Sequence, residues 1–221
     1  MTAGAMQRAH AGLLVRLREE TSREHAALEA SVPLLSETVS RADYVRFLTL
    51  IGAFHATVEQ RVTLVDGLAS VVADLPERRK AALIARDLAA LGVDAAAFSA
   101  GPASLGRCPH EPESRAVVPS IASIDRALGI LYVLEGSTLG GQHLHRHLSV
   151  SLPEVTASAS HFLTCYGPKT GQMWRTFRQH VERAAPELDA EVVIDAAREA
   201  FAVLLDWFRP TAAGAVTERV A

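Results

Sequence analysis

Residues 126–148, RALGILYVLEGSTLGGQHLHRHL, combine the apolar spacing of an α-helix with four glycines. Apolar residues recur at three- and four-residue intervals and no proline interrupts them, so the segment is predicted to be a helix. A glycine in a helix interior costs about 1 kcal/mol relative to alanine, so four of them cost about 3–4 kcal/mol. Whatever offsets this cost constrains the fold more than any other feature of the chain.

Two of these glycines, Gly136 and Gly140, lie four residues apart and therefore share one face of the helix. A face without side chains lets another body approach the backbone closely. That body is either a neighbouring helix or a flat ligand, and the sequence leaves both open. The adjacent pair Gly140 and Gly141 also predicts a kink, which helix packing alone does not require.

The rest of the chain also has helical patterning. Ser40 followed by Asp43 resembles a capping box and predicts the start of a helix, Gly92 predicts the end of the next one, and Asp125 is predicted to cap the glycine-rich helix. The other predicted helices span about residues 11–31, 77–91, 170–184 and 188–208, and a long connection at 93–119 contains a short helix at 94–98. Because no segment alternates with period two, the chain is predicted to be all-α.

The predicted architecture is a single-domain bundle of about seven or eight helices over residues 11–209, with a disordered start at 1–10 and a flexible tail at 210–221. The net charge of −3 and the pI near 6.3 give no reason to expect binding to nucleic acid or to a membrane. No apolar run approaches the roughly 18–20 residues that span a bilayer. The two cysteines are far apart in the sequence and are interpreted as free thiols, which are typical of a reducing compartment. A soluble, cytoplasmic protein is therefore expected.

His25 stands out among the nine histidines because it shares a helix face with Leu17 and Leu28. It is therefore predicted to point inward, with Glu29 one turn away. A buried imidazole can ligate one metal ion if an acceptor holds its other nitrogen, and Glu29 could serve. A hydrogen-bonded core histidine is the alternative. A carboxylate-bridged di-iron site would use Glu-x-x-His pairs, and the chain contains none.

Two segments, LREETSREHAALEA at 17–30 and LYVLEGSTLGGQ at 131–142, together resemble the heme oxygenase family. They are most similar to the bacterial biliverdin-producing enzymes found with bacterial phytochromes. The later segments WRTF at 174–177 and AFAVLLDWF at 200–208 also fit, so the resemblance covers about residues 12–208. It implies the heme-oxygenase-like helical bundle.

The resemblance implies that His25 ligates the heme iron with Glu29 in support. It also implies that Gly136, Gly140 and Gly141 lie over the heme, where they leave room for O₂ to reach a meso carbon of the ring. Arg18, two turns and about 10 Å before His25 on a continuous helix, is expected at the heme propionates. The remaining cofactor-binding residues implied by the resemblance are Arg175 and Arg178 at the propionates and Tyr132, Phe201 and Phe208 in the pocket.

Ser137 is a departure from part of the family, in which an aspartate follows the first glycine and orders the catalytic water. A hydroxyl can hold water, but it supplies no carboxylate. This position therefore keeps open a non-catalytic heme-binding or heme-sensing protein on the same fold.

The function implied by the resemblance is cleavage of heme, which is both substrate and prosthetic group, by O₂ and external electrons to biliverdin, CO and Fe²⁺. The chain has no flavin or nicotinamide fingerprint, so the expected electron donor is a separate ferredoxin or reductase. A phytochrome is a possible recipient of the biliverdin. A heme-oxygenase-like di-iron oxidase is a further alternative, disfavoured by the absence of Glu-x-x-His.

Overall fold

The computed structural model describes residues 12–94 and 118–209. Within these two ranges the chain forms nine α-helices and no strand, which confirms the all-α prediction. Seven helices have eight residues or more, and two are single turns. The helices are α1 (Leu13–Glu20), α2 (Ser22–Ser31), α3 (Arg41–Val62), α4 (Leu68–Val71), α5 (Ala81–Ala90), α6 (Ile124–Ser151), α7 (Pro153–Thr156), α8 (Thr170–Ala184) and α9 (Ala190–Phe208).

Several expectations fall on residues outside these ranges. They are the disordered start at 1–10, the tail at 210–221 and nearly all of the short helix at 94–98. Among the described residues, no helix is both long enough and apolar enough to cross a membrane.

Several helix boundaries follow the signals in the sequence. The Ser40 hydroxyl accepts from the backbone N–H of Asp43 at 3.2 Å, and the Asp43 carboxylate accepts from that of Ser40 at 2.9 Å. This reciprocal pair is the predicted capping box of α3. Gly92 follows α5 in a left-handed conformation with φ of 70°, as expected for a residue that ends a helix.

The predicted first helix is divided at Thr21 into α1 and α2. The Thr21 side chain is buried, and its hydroxyl donates to the Leu17 carbonyl at 2.7 Å. A hydroxyl that bonds back to its own helix in this way competes with the regular backbone pattern. Arg18 and His25 therefore lie on different helices, and the distance estimate for one continuous helix does not apply to them.

Two other predicted starts are corrected. Residues Leu75–Arg78 form a separate 3₁₀ turn around a proline, so the third predicted helix begins at Ala81 instead of residue 77. The cap of α6 is Ser123, whose hydroxyl accepts from the Arg126 N–H at 3.3 Å. Asp125 lies in the first turn and accepts from the backbone N–H of Asp189 at 2.8 Å, which joins the start of α6 to the start of α9.

The core is formed mostly by α3, α6 and α9. Helices α6 and α9 approach closely at Gly129, where an added Cβ would collide with the carbonyl oxygen of Val193. Helix α8 packs on another side of α6, and α2 packs on α9.

Candidate functional site

The glycines of α6 divide into two pairs with different surroundings. An added Cβ would collide with Val193 at Gly129 and would lie 3.1 Å from the Leu163 carbonyl oxygen at Gly141. A Cβ at Gly140 would meet no heavy atom within 4 Å, and one at Gly136 would meet only the Trp174 ring, at 3.8 Å. Close packing therefore explains the first pair and not the second.

We call Gly136 and Gly140 the open glycine face. In the part of the chain that the structure describes, no atom of a neighbouring helix lies within 4 Å of a Cβ on Gly140, so tight helix packing does not account for this glycine. Gly141, which the resemblance placed over the heme with them, does not share this face, because a Cβ built on it would lie 3.1 Å from the Leu163 carbonyl oxygen. The predicted kink does not interrupt α6, which continues as one helix through Gly140 and Gly141.

His25 does not point into the core as predicted, since 56% of its side chain is exposed. The reason is that α2 contains no buried residue and lies across α9 as an outer layer. The imidazole meets the buried ring of Phe201 edge-on, with centroids 5.9 Å apart. Its Nδ1 lies 3.6 Å from the Glu29 carboxylate, within ion-pair range, so Nε2 is the nitrogen left for a ligand. The alternative of a satisfied core histidine is also wrong.

The packing of α6 against α9 relates His25 to the open glycine face. The two helices start side by side, where Asp125 accepts from Asp189, and the contact of Gly129 with Val193 keeps the same register one turn later. Both helices rise about 1.5 Å per residue. Continuing this register places Gly136 level with Ala200, the residue before Phe201, whose ring contacts that of His25.

Tyr132 brings two of the expected propionate ligands together. Burial raises the pKa of Tyr132, and the positive charges of Arg18 and Arg178 act in the opposite direction. Both guanidinium groups are thus close enough to act on the same phenol. Arg178 also lies 3.8 Å from Glu182 on the exposed side of α8. Arg175 instead extends along its own helix toward Gly171, so the structure does not group it with the other two.

Two further expected site residues occupy different environments. Phe201 is buried beneath His25, whereas Phe208, two turns further along α9, stacks on Phe47 with centroids 5.8 Å apart. The structure thus places Phe208 in the core around Phe47 and does not bring it to His25. Ser137 is exposed beside the open glycine face, and its hydroxyl donates to the Leu134 carbonyl at 2.7 Å. The lone pairs of that oxygen remain able to accept from water.

A buried cluster of ions adjoins the open glycine face, and the sequence analysis did not predict it. Glu135 is 1% exposed, as are its two cationic partners Arg78 and Lys80. Lys80 donates to Oε1 of Glu135 at 2.5 Å, Arg78 donates to Oε2, and the Tyr166 hydroxyl donates to both oxygens at 3.0 and 3.1 Å. We call these four residues the ion cluster.

The ion cluster has a consistent protonation pattern. Burial and the nearby negative charge of Glu135 raise the pKa of Tyr166, so its hydroxyl keeps the proton that it donates. The pKa of Arg78 is also raised, because its carboxylate neighbours outweigh the opposing effect of burial. A sequence signal did exist: Glu135 is the one charged residue between Arg126 and His143, in the apolar part of the helix predicted at 126–148.

Across residues 12–94 and 118–209, no group of three or more histidine, cysteine or acidic side chains is arranged to hold a metal ion. A carboxylate-bridged di-iron centre would need such a group. A single exposed imidazole such as that of His25 is a different arrangement, since one protein ligand suffices for the iron of a porphyrin.

Comparison with known proteins agrees with this geometry. The family model described as heme oxygenase matches residues 11–210. Among solved structures, the chain is similar to the heme oxygenase of Neisseria meningitidis, crystallised with NO and CO bound. The TM-score is 0.69 and the identity 26%, over 89% of this chain and 92% of that one. No curated protein sequence matches the chain. Because the family model covers nearly its full length, the chain belongs to the heme oxygenase family.

Proposed function

We propose that the protein is a biliverdin-producing heme oxygenase, which uses O₂ and external electrons to cleave heme at a meso carbon and releases CO and Fe²⁺. The observation that carries the proposal is the open glycine face, because Gly140 keeps a costly glycine in a helix where no heavy atom of residues 12–94 and 118–209 lies within 4 Å of a built Cβ. Membership of the family supplies the substrate class.

The residues present fit a heme. A flat macrocycle needs one surface without side chains, and an added Cβ at Gly140 would project into open space. It needs an axial ligand, and His25 presents an exposed imidazole with Nδ1 turned to Glu29. It also needs cations for two carboxylates, and the positive charges of Arg18 and Arg178 both act to lower the pKa of Tyr132.

Each of these residues then has a specific task. His25 would bind the iron through Nε2, and the Glu29 carboxylate, 3.6 Å from Nδ1, would orient the ring. Gly136 and Gly140 allow the backbone of α6 to approach the porphyrin face. Ser137 holds a water molecule there with its hydroxyl oxygen, where an aspartate would hold it more strongly. The bound heme supplies both the redox-active iron and the ring that is cleaved.

We also propose the partners that this chemistry requires. The electrons come from a separate ferredoxin or reductase, because the sequence has no fingerprint for a flavin or nicotinamide cofactor. A phytochrome is the proposed recipient of the biliverdin, on the basis of the similarity to phytochrome-associated enzymes. The proposed compartment is the cytoplasm, where free thiols such as that of Cys165 stay reduced.

Aerobic turnover of hemin with a chemical reductant tests the proposal. An enzyme loses the Soret band and yields biliverdin and CO, whereas a heme sensor keeps its Soret band. The variant His25→Ala should lose the axial ligand and most of the turnover. His145→Ala, on a different face of α6, is the matched control and should turn over hemin normally. A stable heme complex under these conditions would refute the enzymatic function.

A further inference from the structure

We propose that the ion cluster positions Trp174 against Gly136, and that Trp174 thereby limits the macrocycle on one side of the open glycine face and selects the meso carbon that is cleaved. This inference rests on the proposed function, because it concerns the product of heme cleavage. It assigns a selectivity role to Trp174 and a positioning role to Arg78 and Glu135.

The two glycines of the open face have unequal surroundings. The Trp174 ring lies 3.8 Å from the position of a Cβ on Gly136, whereas Gly140 has no heavy atom within 4 Å of that position. Trp174 also meets the Tyr132 ring with centroids 5.6 Å apart. A body that lies on the face is therefore bounded by an aromatic wall at its Gly136 end, whereas no described side chain forms such a wall within 4 Å of a Cβ on Gly140.

Trp174 is held by contacts that lead back to the ion cluster. Its ring stacks on the buried ring of Phe177, with centroids 6.0 Å apart and planes 22° from parallel. The Arg78 guanidinium lies 5.4 Å from the centroid of Phe177, a cation–π contact on that ring. Arg78 also donates to the carbonyl of Met173, the residue before Trp174, at 3.2 Å. One guanidinium thus contacts α8 at two points around Trp174.

Arg78 is itself fixed by two carboxylates. Its Nε and Nη2 atoms donate to the two oxygens of Asp74, at 2.8 and 2.6 Å, and its Nη1 donates to Glu135. A bidentate pair of this kind fixes the plane of the guanidinium as well as its position. Glu135 is bonded covalently to Gly136, so the contacts form a closed ring from Gly136 through Arg78 and Trp174 back to Gly136.

A positioning role explains why charges are buried here. A buried ion pair adds little stability over well-packed apolar residues of the same volume, because desolvation offsets the attraction. What the pair provides is direction, since a carboxylate with three donors has one orientation. In this protein the oriented carboxylate fixes Arg78, and Arg78 in turn fixes the part of α8 that carries Trp174 beside the open glycine face.

Two variants separate positioning from general stability. Glu135→Gln removes the charge and keeps the volume, whereas Trp174→Leu removes the wall and leaves the ion cluster intact. Asp87→Asn is the matched control, because Asp87 is also a buried carboxylate and accepts from the backbone N–H groups of His161 and Phe162, at 3.0 and 2.8 Å.

The first readout uses the protein without heme. The sequence contains two tryptophans, Trp174 and Trp207, so an NMR spectrum should show two indole N–H signals, assigned with Trp174→Phe. We expect Glu135→Gln to move the Trp174 signal and Asp87→Asn to leave it in place. An unmoved Trp174 signal in folded Glu135→Gln would overturn the positioning role of the ion cluster.

The second readout is the ratio of biliverdin isomers after hemin turnover. We expect Trp174→Leu to change this ratio at least about tenfold, as the loss of an apolar wall typically does for selectivity, while Asp87→Asn keeps the wild-type ratio. An unchanged ratio in Trp174→Leu overturns the inference, even if Glu135→Gln fails to fold. If the wild-type protein does not degrade hemin at all, the proposed function fails instead, and the selectivity role fails with it.

Discussion

Filling the open glycine face should stabilise the protein and impair its function. In the variant Gly140→Ala, the added methyl group meets no heavy atom within 4 Å, and the glycine is not in a left-handed conformation. Alanine is favoured over glycine in a helix interior by about 0.8–1.0 kcal/mol. The heme-free variant should therefore unfold about 2–4 °C higher than the wild type.

Gly129→Ala provides the matched control on the same helix. Its methyl group would collide with the Val193 carbonyl, and overpacking of this kind costs about 1–3 kcal/mol. This variant should unfold at a lower temperature than the wild type. Thermal unfolding followed by circular dichroism measures both changes without any ligand.

The second part of the prediction concerns hemin binding and turnover, and it also changes Gly140. Gly140→Leu places a branched side chain where we propose that the porphyrin lies, so hemin affinity and turnover should fall although the heme-free fold is retained. A destabilised Gly140→Ala would refute the claim that protein packing does not need this glycine. Normal turnover and isomer ratio in Gly140→Leu would refute the claim that the heme lies there.

Three further outcomes follow from named contacts. Burial lowers the pKa of His55, so the folded protein keeps this imidazole neutral while the unfolded chain binds a proton below about pH 6.5. The contribution of His55 to the free energy of unfolding should therefore be largest above pH 6.5, and it should fall as the pH drops toward the lowered pKa. His55→Gln should flatten this part of a plot of melting temperature against pH, and an unchanged slope would contradict the assignment. Arg178→Ala should weaken hemin binding by up to about fivefold in a titration, with Arg175→Ala closer to the wild type, and the reverse order would contradict the grouping around Tyr132. Ser40→Ala should cost about 1 kcal/mol in denaturant unfolding, because it removes the capping box of α3, and a cost near zero would contradict that role.

Signals that act over one or two helical turns were enough to predict much of the fold. The capping pair of Ser40 and Asp43, the stop at Gly92 and the bounds of α8 depend on neighbouring residues, and the structure has them as expected. The four glycines of α6 also correctly indicated which helix has a surface that other groups approach closely. Their division into a packed pair and an open pair was not predictable, because it depends on which backbone approaches each one.

Features that depend on contacts between residues far apart in the sequence were not predicted. The partners of Glu135 lie more than fifty residues before it, at Arg78 and Lys80, where the sequence predicted only the first turn of the helix at 77–91. His25 was misjudged because its helix face has apolar neighbours at regular spacing. That face lies across α9 with the imidazole exposed, and spacing along one helix does not reveal how deeply a layer is buried.

The central claim is that a heme lies between the imidazole of His25 and the open glycine face. A crystal structure of the complex with hemin tests it most directly. We expect iron bonded to Nε2 of His25 and the opposite face of the ring on Gly136 and Gly140. Iron bound through any other residue, or a ring located away from these two glycines, would contradict it.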